Sequence, residues 1–310
     1  MKKIFILISL LFLKSALFAQ SYPVKEVMVA GKKMAYRSFG LENHKPGEPV
    51  LIFESGLGTP GDNYQGLFGT LSKTTAGIAY DRNGIGGSEA DPTIKTDADV
   101  VKRLHALLDT LHIQPPYLLI GHSIGGPLVR LYTAFYPDQV AGLVLIDPTD
   151  YRLTSGEDNE VKKNTSSAMG YRELWVTNLK QMSADTSLPV GTRIEMQREL
   201  SVSSPAYFGE YENLPPLPDI PVTIFIVYIH RVEKSEATLA TKLKINIVPW
   251  YKLLDKDRVE HYEDLVAANH HSNLVLLPNY SHGVHNQDPD LVINSILKVY
   301  HDSLLKPKKK

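Results

Sequence analysis

The sequence predicts an α/β fold: a mostly parallel sheet covered by helices on both faces, interrupted by an inserted helical lid. Three observations predict it. Apolar strand-like runs recur along the chain with helical patterns between most of them. One of these runs passes directly through a Gly-x-Ser-x-Gly turn into a helix. The alternation fails only between about Asp150 and Asp219, a stretch too long for a structureless loop in a compact domain.

Met1-Lys2-Lys3, the apolar run Ile4 to Leu13 and the exit Ala19-Gln20 read as a secretory signal peptide over residues 1–19, cleaved after Ala19. The run is too short for a membrane anchor; the alternative is a retained N-terminal helix, since Lys14 interrupts it. Export to the periplasm or medium leaves about 290 residues, enough for one large core with an insertion. The chain has no cysteine, so neither a disulfide nor a lipid-bearing thiol is available and stability rests on the core. A formal net charge of −1 gives no electrostatic bias towards nucleic acid or an anionic membrane. The basic end, Lys306 to Lys310 around Pro307, reads as a solvated tail.

Val24 to Val29 and Lys33 to Ser38, joined across Ala30-Gly31-Lys32, read as an opening hairpin. Further strands are expected at Val50 to Phe53, Gly77 to Tyr80, Tyr117 to Ile120, Gly142 to Ile146, Val222 to Tyr228 and Asn273 to Leu277. Between Asp99 and Leu111, Val100, Leu104, Leu107, Leu108 and Leu111 recur at helical spacing, and Leu291 to Leu304 forms a similar closing helix. The sheet-and-helix core thus occupies 20–149 and 220–310, with a mainly helical lid over 150–219 whose aromatics (Tyr171, Trp175, Tyr207, Phe208, Tyr211) either line a pocket or pack the lid down.

The Gly121-His122-Ser123-Ile124-Gly125 turn carries the chemistry. A serine at the tip of a sharp strand-to-helix turn adopts a strained backbone, and Gly121 and Gly125 leave room for the chain to pass. The helix that follows aims free N–H groups at the point where an oxyanion would form. A bare Gly-x-Ser-x-Gly arises by chance in about one chain of this length in ten, so the flanking strand and amphipathic segment give it weight. Glu54-Ser55-Gly56-Leu57-Gly58 follows the Val50 strand and can present the Leu57 N–H as an oxyanion donor beside that of Ile124. Asp81 and Arg82, after the next strand, read as a charge pair or local hydrogen bonds that fix their loop.

In these segments, taken with Tyr80-Asp81-Arg82-Asn83-Gly84-Ile85-Gly86-Gly87-Ser88 and Gly142-Leu-Val-Leu-Ile-Asp147-Pro148, the chain resembles the α/β-hydrolase superfamily, specifically its esterase-like members, from about Val24 to the closing helix. The resemblance implies a triad in the order Ser, acid, His. His282 matches the family's catalytic position, with Pro289 seven residues on, although Ser281 replaces the usual preceding glycine; His285 is the rival. The other histidines, including His122 and the His270-His271 pair, read as surface or packing residues. The turn after Val222 to Tyr228, where many relatives hold the acid, has no carboxylate before Glu233. Asp147, after the preceding strand, is therefore preferred, with Glu233 as the alternative and an Asp-Pro turn anchor as the other role for Asp147.

The reading is an exported serine hydrolase cleaving a small-molecule carboxylic ester through Ser123, His282 and Asp147, with no metal or organic cofactor. A serine at the elbow argues against haloalkane dehalogenases and epoxide hydrolases, whose nucleophile the resemblance gives as aspartate. Amide or peptide cleavage by the same triad, as in aminopeptidase-like relatives, and a non-catalytic ligand-binding protein of the same fold are the alternatives.

Overall fold

A computed structural model describes residues 22–229 and 232–305; the expected signal peptide, residues 1–19, and the basic end, residues 306–310, lie outside these residues. Eight strands form one sheet: β1 (Lys25–Val29), β2 (Lys32–Phe39), β3 (Val50–Glu54), β4 (Ala76–Tyr80), β5 (Tyr117–His122), β6 (Val140–Ile146), β7 (Val222–Tyr228) and β8 (Ser272–Pro278). Their order is β1-β2-β4-β3-β5-β6-β7-β8, with β2 antiparallel to β1 and β4 and every other pairing parallel.

Strands β3, β4 and β5 are buried along their whole length, which is why they read as continuous apolar runs. Alternate side chains serve opposite faces. Ile52, Ile78, Leu119, Leu145 and Ile224 share a core with Leu104 and Leu108 of α2 (Asp97–Thr110) and Val129 and Tyr132 of α3 (Gly125–Phe135). On the other face Leu51, Phe53, Ile120, Val144 and Phe225 pack with Phe68, in the first helix α1 (Gln65–Leu71), and with Val292 and Ile296 in the last. Helix α2 starts at a reciprocal cap: Thr96 Oγ1 accepts the Asp99 N–H at 3.1 Å and Asp99 Oδ2 accepts the Thr96 N–H at 3.1 Å.

Between β6 and β7 the chain forms α4 (Ser155–Thr165), α5 (Tyr171–Ala184) and α6 (Val190–Ser203) before returning through the proline-rich residues 214–218. Between β7 and β8 lie α7 (Lys234–Lys242) and the 20-residue α8 (Ile247–Val266), for which the sequence had offered no individual expectation. The chain closes with α9 (Val284–Gln287) and α10 (Pro289–Leu304). Pro289 opens α10 where no N–H is needed, and Asp288 Oδ1 caps it by accepting the Leu291 N–H at 3.1 Å. Among the described residues no helix is long and apolar enough to cross a membrane.

Candidate active site

Strand β3 is flanked by β4 on one side and β5 on the other, so the chain reverses its direction of progress across the sheet there, and loops diverge at the C-terminal edge. Ser123 is the first residue after β5, at φ +55°. A Cβ on Gly121 would collide with the Gly125 carbonyl, and one on Gly125 with the Glu54 carbonyl, so both positions demand glycine. The strained residue is held on both sides. Its N–H donates to Ile146 O at 3.1 Å, and its carbonyl accepts the N–H groups of Gly126 at 3.0 Å and Thr149 at 3.1 Å.

Asp147 is the first residue after β6, also at positive φ (+43°), and its N–H donates to Phe225 O at 2.9 Å. Its carboxylate is fully engaged. Oδ2 lies 2.6 Å from His282 Nδ1, while Oδ1 accepts the Val227 N–H at 2.9 Å and stands 3.1 Å from Arg258 Nη1. Burial opposes the charge, but the Arg258 guanidinium and the His282 contact outweigh it and hold the carboxyl down at about 2. His282 itself is half exposed, which leaves its other edge open to a ligand. Ser123, Asp147 and His282 line one cavity of about 300 Å³, walled by Tyr171 and Trp175 of α5 and by Tyr251, Leu254 and Arg258 of α8. Glu233 stands apart from it, at the exposed N-terminus of α7, where its N–H donates to Glu236 Oε2 at 2.8 Å.

The loop after β3 abuts the serine: a Cβ on Gly56 would lie 3.4 Å from Ser123 Cβ. No protein acceptor takes the Leu57 or Ile124 N–H among the described residues. Arg82 holds this loop from beneath. Its Nη1 donates to Ser55 O and Nη2 to Gly56 O, both at 2.6 Å, while Nη1 also contacts Glu54 Oε1 at 2.6 Å and Nε contacts Glu195 Oε1 at 2.5 Å. Glu195, on α6, accepts the Gly58 N–H at 2.6 Å, and the Tyr80 hydroxyl bonds Glu54. Burial works against both carboxylates: it pushes Glu54 up, whereas Arg82, Arg198 and the Gly58 N–H prevail at Glu195 and hold it down. Asp81 fixes its own loop instead, accepting the Gly61 N–H at 2.8 Å and the Gly87 N–H at 2.9 Å. The anticipated local role for Arg82 is thus broader, reaching the β3 loop and the insertion.

His122 is not idle packing. Its Nε2 donates to the His282 carbonyl at 2.9 Å and its ring lies 4.6 Å from that of His282. His285 is buried and turned towards Asn63, whose Nδ2 lies 2.6 Å from its Nε2. Burial, reinforced by His282, pushes His122 down to about 3 and His285 down to about 4, so both rings are neutral at ordinary pH. Arg258 escaped the sequence reading. Its only trace is position: Trp250, Leu254, Arg258 and Tyr262 recur every four residues, a cation on an otherwise buried stripe.

A family model for the alpha/beta hydrolase fold matches residues 49–220, from the start of β3 to the start of β7. The chain belongs to the alpha/beta hydrolase family. Among its relatives are the uncharacterised protein YqjL of Bacillus subtilis (strain 168), 32% identical over 99 residues, which are 32% of this chain and 39% of that protein, and monoacylglycerol lipase ABHD6 of Homo sapiens, 25% identical over 140 residues, 44% of this chain and 40% of that one. These matches thus span about two fifths of each relative's length. The solved structure of the epoxide hydrolase CorEH without ligand superposes with a TM-score of 0.58 at 15% identity, covering 91% of this chain and 99% of that one. This α/β hydrolase therefore shares its fold with enzymes of several hydrolytic chemistries.

Proposed function

We propose that this α/β hydrolase is a serine hydrolase that cleaves small carboxylic esters through an acyl-enzyme. Ser123 Oγ attacks the carbonyl carbon while His282 Nε2 takes its proton, and the Leu57 and Ile124 N–H groups receive the oxyanion. His282 then returns the proton to the leaving alcohol. Water, deprotonated by the same imidazole, releases the acid and restores Ser123. Asp147 orients His282 and stabilises its cation. The observation that carries the reading is the 2.6 Å contact between His282 Nδ1 and Asp147 Oδ2, beside a serine at φ +55° on the same cavity. A serine in place of aspartate at the turn supports acyl transfer over epoxide opening, and the lipase relative is in keeping with an ester substrate.

Export belongs to the same proposal, resting on residues 1–19, and N-terminal sequencing of protein from its native host is expected to start near Gln20. The hydrolase itself is tested by fluorophosphonate labelling followed by a panel of esters and amides. Ser123→Ala is expected to abolish labelling and lower turnover about a million-fold with an unchanged melt. Retained labelling at another serine refutes the assignment.

A further inference from the structure

The residue before Ser123 is a histidine, and strand geometry decides where its side chain goes. Leu118, Ile120 and His122 alternate onto one face of β5. Leu118 and Ile120 pack there with Val284, which opens α9 directly after the loop that carries His282. His122 is buried, and it is not among the described residues that line the Ser123 cavity. Its Nε2 lies 2.9 Å from the His282 carbonyl oxygen, which can only accept, so the proton sits on Nε2. Nδ1 then keeps its lone pair, buried and without a partner. Among the described residues no other donor meets the His282 carbonyl. The neighbouring ties of that loop pass residue 282 by: the Ser281 N–H donates to Gln287 Oε1 at 2.7 Å, and the Asn286 and Gln287 N–H groups donate to Gly283 O at 3.0 Å. His122 also rests on the loop after β3, where a Cβ on Gly56 would stand 3.0 Å from its Nδ1.

We propose that His122 is a positioning residue for the base: by holding the His282 carbonyl while resting on Gly56, it keeps the His282 imidazole on Asp147 and sets it against the loop that carries the Leu57 N–H. The inference rests on the reading of Ser123, His282 and Asp147 as a hydrolytic triad. The His282 side chain is 51% exposed, so packing alone does not fix it; it is tied to Asp147 at Nδ1, and its backbone is tied to His122. Loss of the second tie frees the loop to shift, and a displacement of about 1 Å costs on the order of a hundredfold in rate. The ring of His122 stands 4.6 Å from that of His282. Burial, with His282 and His285 nearby, keeps it neutral, so it does not repel the cation that His282 becomes when it takes the Ser123 proton.

Imidazole NMR of the isotope-labelled full-length protein, joined to kinetics on two variants of matched length, tests this. In the unaltered protein His122 is expected to carry its proton on Nε2 alone at neutral pH. His122→Met removes the donor and is expected to lower kcat about ten- to a hundredfold, with KM changed less than about twofold. It should also shift and broaden the low-field resonance of the His282 Nδ1 proton that faces Asp147. His122→Gln restores an N–H near the place of Nε2 and is expected to return kcat to within about threefold of the unaltered protein. If a thermal melt shows His122→Met unfolded, His122→Phe, a ring without the N–H, takes its place. A cationic His122 or a bare Nε2 at neutral pH overturns the proposal, as does an unchanged kcat in the folded donor-less variant or a His122→Gln no more active than it. Absence of Ser123 labelling and of ester turnover in the unaltered protein refutes the hydrolase reading instead; the tautomer and the His282 resonance then still decide whether His122 holds that loop.

Discussion

Ser123 and Asp147 occupy equivalent places on neighbouring strands. Each is the first residue beyond its strand, the register pairs His122 with Ile146, and each has a positive φ that costs a non-glycine residue about 1–3 kcal/mol. That strain is held by the surrounding backbone bonds and aims both side chains at one cavity. In Asp147 the carboxylate oxygens divide their work, one facing His282 and one facing Arg258 and the Val227 N–H, so the residue orients the histidine and anchors the turn at once. On the proposed mechanism Asp147→Asn lowers ester turnover by about ten-thousand-fold at neutral pH, because the amide favours the wrong imidazole tautomer. Glu233→Gln, at the exposed start of α7, changes turnover less than about twofold. Steady-state kinetics on both variants, read beside thermal melts, check the pair of outcomes; a crippled Glu233→Gln with an active, folded Asp147→Asn refutes the assignment.

At the scale of elements, α6 reaches from the insertion to the loop after β3 through Glu195, which meets both the Gly58 N–H and Arg82. On the proposed mechanism, a change on the insertion therefore acts on the Leu57 N–H without touching the Ser123 cavity. Glu195→Gln keeps the shape but weakens two charge-assisted contacts. It is expected to lower kcat about a hundredfold with KM nearly unchanged, the signature of misplaced oxyanion donors rather than lost binding. Kinetics over a range of substrate concentrations separate the two, and a rise in KM alone contradicts this role. This coupling was invisible in the sequence because Arg82 and Glu195 are 113 positions apart and no local pattern links them. The strands were legible for the opposite reason: β3, β4 and β5 are buried on both faces, so they read as apolar runs up to the polar residues Glu54 and His122 that end β3 and β5. The turn at Ser123 was legible because strained strand-to-helix turns use few residue types, whereas the closing helix, expected from Leu291, starts two residues earlier at Pro289 behind the Asp288 cap. Helix α8 was not legible, since the buried Asp255 and the partly buried Arg258 interrupt the apolar stripe that periodicity detects.

The whole molecule is closed over the candidate site by α8, and two ion contacts on that closure set how stability depends on pH. Asp147, facing Arg258 of α8, has its carboxyl lowered from 3.8 to about 2. A depressed carboxyl contributes stability that is complete above its unfolded value and is lost as pH falls through its folded value, here between about 4 and 2. His261, also on α8, lies 2.8 Å from Asp150 Oδ2 and 3.1 Å from Glu157 Oε1 of α4. Burial disfavours its cation, yet the two carboxylates prevail and raise it from 6.5 to about 9. A raised histidine contributes stability that is complete below its unfolded value and is lost as pH rises through its folded value, so this share disappears between 6.5 and about 9. Urea denaturation from pH 2 to 10 is therefore expected to show a midpoint that declines on both sides. His261→Gln should start lower at pH 6 and flatten the alkaline decline, while keeping the acid one. Arg258→Gln should move the acid decline to higher pH, because the Asp147 carboxyl loses the cation that holds it down while remaining buried. An alkaline decline of the same steepness in His261→Gln and in the unaltered protein would show that the bridge between α8 and α4 carries no charge-dependent stability.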